Sequence, residues 1–455
     1  MEYSLYSLQN VLSVAKVHPY YNNSIEYPLS RDALREHIKK EAADTSSDIA
    51  EWPLLRKKTL YNTIARLVDD IRPENTYRHA MYTSITGGGS GSKPLFFATD
   101  ADENRNQRKQ FGGLIKACGI IRDGDWALTI HTTGELYRAL DLTLEVLENA
   151  GACVLGAANR MGLDDVVKLL IQYNVNILTG NSSQMVHLAG FISTHPDRAK
   201  LKLNKIIYTS EVLTVSQRRF IKAVLGDIKI CSLLASAEAG PWAVCNPDIT
   251  GEATESAADF IYDKRSMLLQ VLPMSAAVED SKDQTPLLQG ERGIIVQTSL
   301  ARLRNPLVRY VTGDIGSLHP LPEAARHLIP ASEWPHLQVV RLEGRDKRFS
   351  FDWDGKYFDF EELTAIMNEP KYSLLHWQVI LDVAQTGGCE SLLEIRLLSA
   401  ASSHLRQELA ARVKAFVHAV ETNEYKFKLF FVTDVDELER SDTGGKVIKF
   451  VNRCS

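Results

Sequence analysis

A loop near residue 85 holds the residue types best suited to chemistry. Residues 82–94 read YTSITGGGSGSKP, with four glycines and five serines or threonines in thirteen positions. Glycine allows backbone amides to approach a ligand closely, and consecutive exposed amides form an anion-binding concavity. The hydroxyl groups and Lys93 add hydrogen-bond donors and a mobile positive charge. The loop therefore predicts a cradle for a polyphosphate, with a flexible Gly/Ser linker as the alternative.

The residues that flank the loop favour the cradle over the linker. Apolar residues LFF follow directly at 95–97, which is typical of a loop that joins two strands of a core. A Walker loop is excluded, because Pro94 follows the lysine where serine or threonine is required. A dinucleotide fingerprint is also excluded, since no helical pattern opens at Lys93.

This Thr-Ser…Thr…Gly…Lys-Pro loop resembles the phosphate loop of the adenylate-forming enzymes, which include acyl-CoA synthetases, peptide-synthetase adenylation domains and luciferases. The family form is shorter, close to T-S-G-T-T-G-K-P, and Ile85 stands here where a glycine is usual. The resemblance implies that the loop binds the phosphates of ATP through Thr83, Ser84, Thr86, Gly87, Gly88, Gly89, Ser90 and Lys93.

Two further segments resemble the family motifs that hold the metal and the ribose. LLASAEAGP at 233–241 resembles Tyr-Gly-x-Thr-Glu with the Gly-Pro of the phenylacetate-CoA-ligase branch, and it implies that Glu238 holds Mg²⁺. Ala237 would then line the nucleotide site, and Gly240 and Pro241 the substrate site. RYVTGD at 309–314 matches R-Y-x-T-G-D and implies that Asp314 accepts hydrogen bonds from the ribose hydroxyls.

Two segments later in the chain resemble the family's hinge and its catalytic lysine. GRDK at 344–347 resembles the hinge between a large and a small domain, and Arg345 would reach the nucleotide. RSDTGGK at 440–446 resembles the R-S-x-G-K end of the phenylacetate-CoA-ligase branch. The resemblance implies that Lys446 stabilises the charge that develops when an acid attacks the α-phosphate.

Two looser matches complete the expected site. YTSE at 208–211 stands where this branch has a turn at the adenine pocket, which assigns Ser210 and Glu211 to the nucleotide. His131 follows a strand pattern and could line the acid pocket, although most histidines serve packing or hydrogen bonding, and we favour such a non-catalytic role. The resemblance covers residues 80 to 450 or so, and it is closest to the phenylacetate-CoA-ligase branch.

Three positions depart from the family pattern. Leu234 stands where a tyrosine packs on adenine, and Ala237 where a threonine lies beside the Mg²⁺ ligand. Loss of that donor would cost about 3 kcal/mol of barrier, unless the longer glycine loop replaces it. After the hinge, FDWDGKY at 351–357 stands where relatives have small residues that line the pantetheine tunnel. Bulk and acidity there disfavour CoA, which leaves a carrier-protein thiol or an amine open as the acceptor.

Periodicity predicts the elements that would position these residues. The first 80 residues read as mainly helical, with one helix from Leu55 to Ile71. Between 95 and 240 strand-like runs alternate with amphipathic helices, one of them from Leu136 to Ala150, which predicts a parallel sheet wound with helices. Strands dominate after residue 250. We therefore expect an α/β fold. Its large domain, at 1–343, would hold wound parallel sheets and a β-rich subdomain, followed by a hinge at 344–347 and a small mobile α+β domain at 348–455.

Composition limits the function classes. The chain has 455 residues and a net charge of −5, without the clustered basic charge of a nucleic-acid-binding protein. We expect no secretory signal, because the first residues lack a basic and then apolar pattern, and no membrane span, since no apolar run reaches about 18 residues. Six scattered cysteines without a C-x-x-C pair indicate a reducing compartment, and we expect a cytoplasmic protein.

The resemblance implies an enzyme that uses ATP and Mg²⁺ to activate a small carboxylic acid, apolar or aromatic, as acyl-AMP. CoA is the default acceptor, and an amine or a carrier-protein thiol is the alternative. A non-catalytic nucleotide-binding relative is a third hypothesis, which the retention of Glu238, Asp314 and Lys446 opposes. Whether the chain forms a homodimer is left open.

Overall fold

A computed structural model of the chain describes residues 5–41, 49–85, 96–134, 136–209, 213–254, 257–277, 284–345, 350–353, 356–383, 391–420, 423–441 and 445–453. The α-helices of these residues are α1 (Leu8–Lys16), α2 (Arg31–Glu41), α3 (Lys57–Asp69), α4 (Ala101–Ala117), α5 (Ala139–Ala150), α6 (Leu163–Gln172), α7 (Ser182–Thr194), α8 (Val215–Leu225), α9 (Pro247–Thr250), α10 (Phe360–Met367) and α11 (Ser403–Phe416). The strands are β1 (Met81–Ile85), β2 (Phe96–Asp100), β3 (Trp126–Thr129), β4 (Thr133–Gly134), β5 (Tyr137–Arg138), β6 (Cys153–Gly156), β7 (Ile177–Asn181), β8 (Lys205–Thr209), β9 (Lys229–Ser236), β10 (Gly240–Cys245), β11 (Ala258–Asp263), β12 (Met267–Leu272), β13 (Gly293–Ser299), β14 (Tyr310–His319), β15 (Leu337–Arg345), β16 (Ser350–Trp353), β17 (Lys356–Asp359), β18 (Leu374–Val383), β19 (Ser391–Ser399), β20 (Phe427–Val432) and β21 (Phe450–Asn452).

One eleven-stranded sheet runs through the larger part of the chain, in the order β12-β13-β14-β15-β11-β10-β9-β8-β7-β3-β6. The strands from β6 to β9 in this order are parallel, as the alternation of strand and helix patterns predicted. The remaining strands pair antiparallel. The strand-rich region expected after residue 250 therefore supplies the antiparallel half of the same sheet.

Successive residues of the parallel strands are buried against helices on opposite faces of the sheet. Ile206 and Leu178 belong to an apolar cluster with α6, α7 and α8, whereas their neighbours Ile207 and Ile177 belong to a cluster with α4 and α5. Side chains alternate across a strand, so helices on both faces require the continuous apolar runs that the sequence shows here.

A separate four-stranded sheet, in the order β20-β19-β18-β21, forms a smaller α/β unit near the end of the chain. It has its own core, in which Trp377 and Ile395 of the sheet pack with Leu409 of α11. The last strand of the large sheet ends at Arg345. The domain limits at 343 and 348 and the hinge between them stay predictions, because residues 346–349 lie outside the described residues.

Two helices begin later than the sequence pattern predicted. The pattern extended α5 back to Leu136, but β4 and β5 form a short hairpin there, and Leu136 has a φ of +67°, which no helix accepts. The pattern also started α3 at Leu55, whose backbone instead pairs with Tyr310 of the large sheet. In both cases pairing with another strand replaces the first helical turn.

Four cysteines in the described part of the chain, Cys118, Cys153, Cys231 and Cys245, are free thiols. Burial raises the pKa of Cys231 to about 12, so this thiol behaves as a small apolar side chain. Among the helices of the described ranges, none is long and apolar enough to cross a membrane.

Asp100 ties the amino-terminal helices to the large sheet. Its carboxylate caps α4 and accepts hydrogen bonds of 2.8 Å from both Arg31 and Arg304. The side chains of Asp100 and Arg304 are 4% and 2% exposed. Burial opposes the negative charge, but the hydrogen bonds from the two arginines hold the pKa of Asp100 below its usual value. A carboxylate thus fixes the start of α4 directly behind the glycine-rich loop.

We expect Asp100→Ala to lower the free energy of unfolding by about 3–5 kcal/mol, because it leaves the buried guanidinium of Arg304 without its carboxylate. Urea denaturation measures the loss. The control is Asp102→Ala. The side chain of Asp102 is 65% exposed and forms an ion pair with Arg31, at the solvent-exposed edge of the same network. That change should cost less than about 1 kcal/mol. Equal losses for the two variants would contradict this assignment.

Candidate active site

Glu238 lies in a turn between β9 and β10, beyond the carboxyl ends of the parallel strands. The backbone of this turn is held from behind by two buried side chains. Arg302 donates to the carbonyl of Glu238, and Gln107 Nε2 donates to the carbonyl of Ala239 over 2.7 Å. Arg302 Nε also donates to Gln107 Oε1 over 3.1 Å. The turn is therefore fixed before any ligand binds.

Gly240 ends the turn and could not be another residue without rearrangement. Its φ is +69°, and an added Cβ would lie 2.7 Å from polar atoms of both Arg302 and Gln107. Pro241 follows as a buried residue of β10. These positions support the turn, and their predicted contact with the acid stays a prediction.

The carboxylate of Glu238 is held by two tyrosines from distant parts of the chain. Its side chain is 7% exposed, and Oε1 accepts from Tyr61 Oη at 2.8 Å and from Tyr310 Oη at 3.2 Å. Burial and the charge of Glu238 raise the pKa of Tyr61 well above its usual value, so Tyr61 stays a proton donor. Lys57 Nζ lies 3.9 Å from the same oxygen.

Asp314 lies on a bulge of β14, four residues after Tyr310. Gly313 has a φ of +79°, and the pairing of β13 with β14 is irregular between 294 and 296. Thr312 Oγ1 accepts from the backbone N–H of Asp314 over 2.9 Å and donates to the carbonyl of Ile295. A bulge re-aims the side chains of a strand. Tyr310 therefore links the motif of Asp314 to the motif of Glu238.

Arg345 is the cross-strand partner of Asp314, so two residues predicted to bind the nucleotide lie opposite each other on β14 and β15. The nucleotide residues Ser210 and Glu211 lie outside the described residues. Ala237 precedes Glu238 in the turn and packs with Leu234 on the apolar cluster beneath α3.

The glycine-rich loop connects two paired strands, as its flanks predicted. β1 and β2 form an antiparallel pair, with Ile85 opposite Phe96. Thr83 and Ser84 belong to β1. Residues 86–95, which include the other predicted phosphate ligands Thr86, Gly87, Gly88, Gly89, Ser90 and Lys93, lie outside the described residues.

His131 follows β3 and is buried at the strand ends. Its Nε2 lies 3.4 Å from the hydroxyl of Thr209, which ends β8. Burial, with a smaller contribution from the nearby charge of Lys446, lowers the pKa of His131 to about 3. The imidazole is therefore neutral at ordinary pH. Lys446 comes from the small domain, so this electrostatic contact crosses the two domains.

The segment that carries Lys446 is folded back on itself. The backbone N–H of Ser441 donates to the carbonyl of Lys446 over 2.8 Å, and Ser441 Oγ accepts from the Lys446 N–H over 3.2 Å. Gln378 of β18 is fully buried and bonds to the backbone of both Glu439 and Ile448 at the base of the segment. An added Cβ at Gly445 would lie 3.6 Å from Thr132 Oγ1, beside His131. The segment thus presents Lys446 to the strand ends of the large sheet.

An apolar contact holds the small domain in this position. One buried apolar cluster joins the two domains. It contains Leu375, Val435 and Val447 of the small domain, and Leu213 and Ile221 of the large domain, of which Ile221 lies in α8. The side-chain amide of Gln217, also in α8, donates to the carbonyl of Leu375. The placement of Lys446 is therefore maintained by packing between the two domains.

No family model matches the sequence, and comparison with curated proteins gives no match. Solved structures match at low identity. A 2-hydroxyisobutyryl-CoA ligase in the postadenylation state, in complex with 2-HIB-AMP, is 18% identical over 98% of this chain and 87% of that chain, with a TM-score of 0.62. This chain has the fold of the adenylate-forming ligases. The shared features are the large parallel-rich sheet and the separate smaller α/β domain.

The same ligase in complex with 2-HIB-AMP and CoA, in the thioesterification state, is 17% identical over 98% of this chain and 87% of that chain, with a TM-score of 0.52.

The sequence did not reveal the residues that hold the candidate site together. Tyr61 and Lys57 lie on an amphipathic helix that matches no motif, and Arg302 follows a strand without any distinctive neighbour. The available signal was weak: a lysine and a tyrosine four residues apart, on one helical face. Trp353, counted as bulk in a pantetheine tunnel, instead lies in the core of the small domain and donates to the carbonyl of Ser391. Its size therefore does not bear on the acceptor.

The pKa of His131 predicts how stability depends on pH. The folded protein keeps His131 neutral down to about pH 3, whereas the unfolded chain protonates it below about pH 6.5. Its contribution to stability is therefore complete above pH 6.5 and is lost as the pH falls towards 3, by at most about 1.4 kcal/mol per pH unit. His131→Asn should flatten this slope in urea unfolding between pH 4.5 and 7.5. The exposed His404 is the control, and equal slopes in both variants would refute the prediction.

Proposed function

We propose that this protein activates a carboxylic acid with ATP, forms an acyl-AMP with release of pyrophosphate, and then passes the acyl group to an acceptor. The observation that carries the proposal is the position of Lys446, from the small domain: its charge acts on His131 at the strand ends of the large sheet, and the neighbouring Gly445 lies beside Thr132. A domain contact of this kind puts a positive charge where ligands of α/β folds bind.

In the proposed reaction, an oxygen of the acid attacks the α-phosphorus of ATP. The bond from that phosphorus to the bridging oxygen breaks, and its electron pair leaves on pyrophosphate. Lys446 stabilises the charge that develops at the α-phosphate. Asp314, whose backbone is fixed by Thr312, accepts from the ribose hydroxyls. The rigid turn of Glu238 fixes the geometry at the polyphosphate.

The residues present fit Mg²⁺, which would neutralise charge on the phosphates. A magnesium ion binds carboxylate oxygens and keeps several waters. Among the described residues, Tyr61, Tyr310 and Lys57 contact the Glu238 carboxylate, and all three contacts are made to Oε1. Glu238 Oε2 is therefore the oxygen that we propose for the metal.

We propose a small, apolar or aromatic acid and CoA as the default acceptor. The similar ligase structures contain an acyl-AMP and, in one complex, CoA. The motifs AEAGP at 237–241 and RSDTGGK at 440–446 favour the phenylacetate-CoA-ligase branch. An amine or a carrier-protein thiol is the second candidate, because acidic residues stand at 352 and 354, after the hinge.

A panel of carboxylic acids, screened by acid-dependent ATP–pyrophosphate exchange, tests the activation step. Exchange with at least one acid is expected. No exchange with any acid across aliphatic and aromatic members would contradict the proposal and favour a nucleotide-binding protein without catalysis. Adding CoA, hydroxylamine or an amine to the active mixture then identifies the acceptor, since only a competent nucleophile accelerates AMP formation.

Lys446→Ala should reduce exchange by at least about 100-fold, because it removes a charge that acts on the transition state. ATP binding, followed by calorimetry, should largely survive. The matched control is Lys428→Ala, since Lys428 is an exposed lysine of the same small domain, on β20. That variant should exchange as wild type does. Unchanged exchange in Lys446→Ala would refute the role of Lys446.

A further inference from the structure

A lysine of the amino-terminal helical region stands at the carboxylate proposed to hold the metal. We infer that Lys57 is a phosphate-binding residue of the adenylation site, and that its ammonium exchanges between Glu238 and the pyrophosphate portion of ATP. The inference rests on the proposed function and adds a ligand that no motif assigns.

The position of Lys57 is suited to such an exchange. Its ammonium lies 3.9 Å from Glu238 Oε1 and 5.8 Å from the centre of the Tyr61 ring. The distance to Oε1 exceeds that of a hydrogen bond, so the ion pair is loose. Glu238 is 7% exposed, whereas the side chain of Lys57 is 50% exposed. The ammonium therefore has the buried carboxylate on one side and solvent on the other.

The helix that carries Lys57 also packs against the strand that follows the glycine-rich loop. The ring of Tyr61, one turn after Lys57, lies edge-on to Phe97 of β2, with 6.3 Å between the ring centres. Phe97 comes just after residue 95, where that loop ends. Lys57, the turn of Glu238 and the strand that leaves the loop thus meet at one place.

Charge explains why the lysine would move. Two cations on one carboxylate repel each other, so a metal ion on Glu238 would drive the ammonium towards another anion. Lysine has a flexible four-carbon stem and three donors, and phosphate oxygens are suitable acceptors. When the bond between the α-phosphorus and the bridging oxygen breaks, negative charge grows on pyrophosphate. Lys57 keeps its protons and only neutralises that charge.

A purely structural ion pair is the alternative, in which Lys57 does no more than neutralise Glu238. Partly exposed pairs contribute little to stability, about 0–1 kcal/mol, so stability cannot separate the two roles. Binding of a phosphate probe can separate the two roles, because the affinity for the probe falls only when the mutated residue binds phosphate.

The test compares Lys57→Met with Lys58→Met by calorimetric binding of inorganic pyrophosphate in the presence of Mg²⁺. Lys58 is the next residue of the same exposed helical turn, and no contact with Glu238 is found for it in the described part of the chain. Loss of one charged hydrogen bond should weaken pyrophosphate binding about tenfold in Lys57→Met and leave Lys58→Met like wild type.

The two hypotheses fail separately. If Lys57→Met binds pyrophosphate as wild type does while wild type exchanges normally, the inference is overturned and the proposed function stands. If no acid supports exchange but Lys57→Met weakens pyrophosphate binding, Lys57 remains a phosphate ligand and adenylation is rejected. A wild-type protein that does not bind pyrophosphate would overturn the inference outright. Urea unfolding of each variant confirms that it is folded.

Discussion

The buried carboxylate of Glu238 is the interaction on which the rest of the site depends. A charged group is costly to bury unless hydrogen bonds satisfy it. Here two tyrosine hydroxyls supply them, Tyr61 from α3 and Tyr310 from the antiparallel half of the sheet. Arg302 and Gln107 fix the backbone of the same turn from behind. The amino-terminal helices are therefore part of the site.

The fold separates the tasks of the proposed reaction between its parts. The strand ends of the parallel half hold His131 and Thr209, and the bulge of the antiparallel half holds Asp314. The small domain, held by an apolar contact with α8, brings Lys446 near His131. Transfer to an acceptor in a second domain arrangement would require that contact to break and Lys446 to withdraw. One chain could thus perform the two half-reactions at different times, with a single set of strand-end residues.

The sequence predicted much of the local structure, because alternation and periodicity depend on burial. The parallel strands and the helices between them follow from their apolar patterns. The start of α5 was wrong, because an isolated pattern does not reveal a hairpin that places Leu136 at positive φ. The sequence also could not predict that Tyr61 donates to Glu238, since 177 residues separate the two and neither neighbourhood signals the other. Motif residues could be located, whereas the side chains that hold them came only from tertiary packing.

Transfer of ¹⁸O from the acid to AMP shows whether an acyl-AMP forms. An acid labelled with ¹⁸O in its carboxylate is turned over with ATP and its acceptor, and the AMP is analysed by mass spectrometry. When the acid attacks the α-phosphorus, one carboxylate oxygen joins the acyl carbon to that phosphorus. This oxygen stays on AMP when the acceptor takes the acyl group. One ¹⁸O atom is therefore expected in each AMP. Label in inorganic phosphate, or AMP without label, would contradict it.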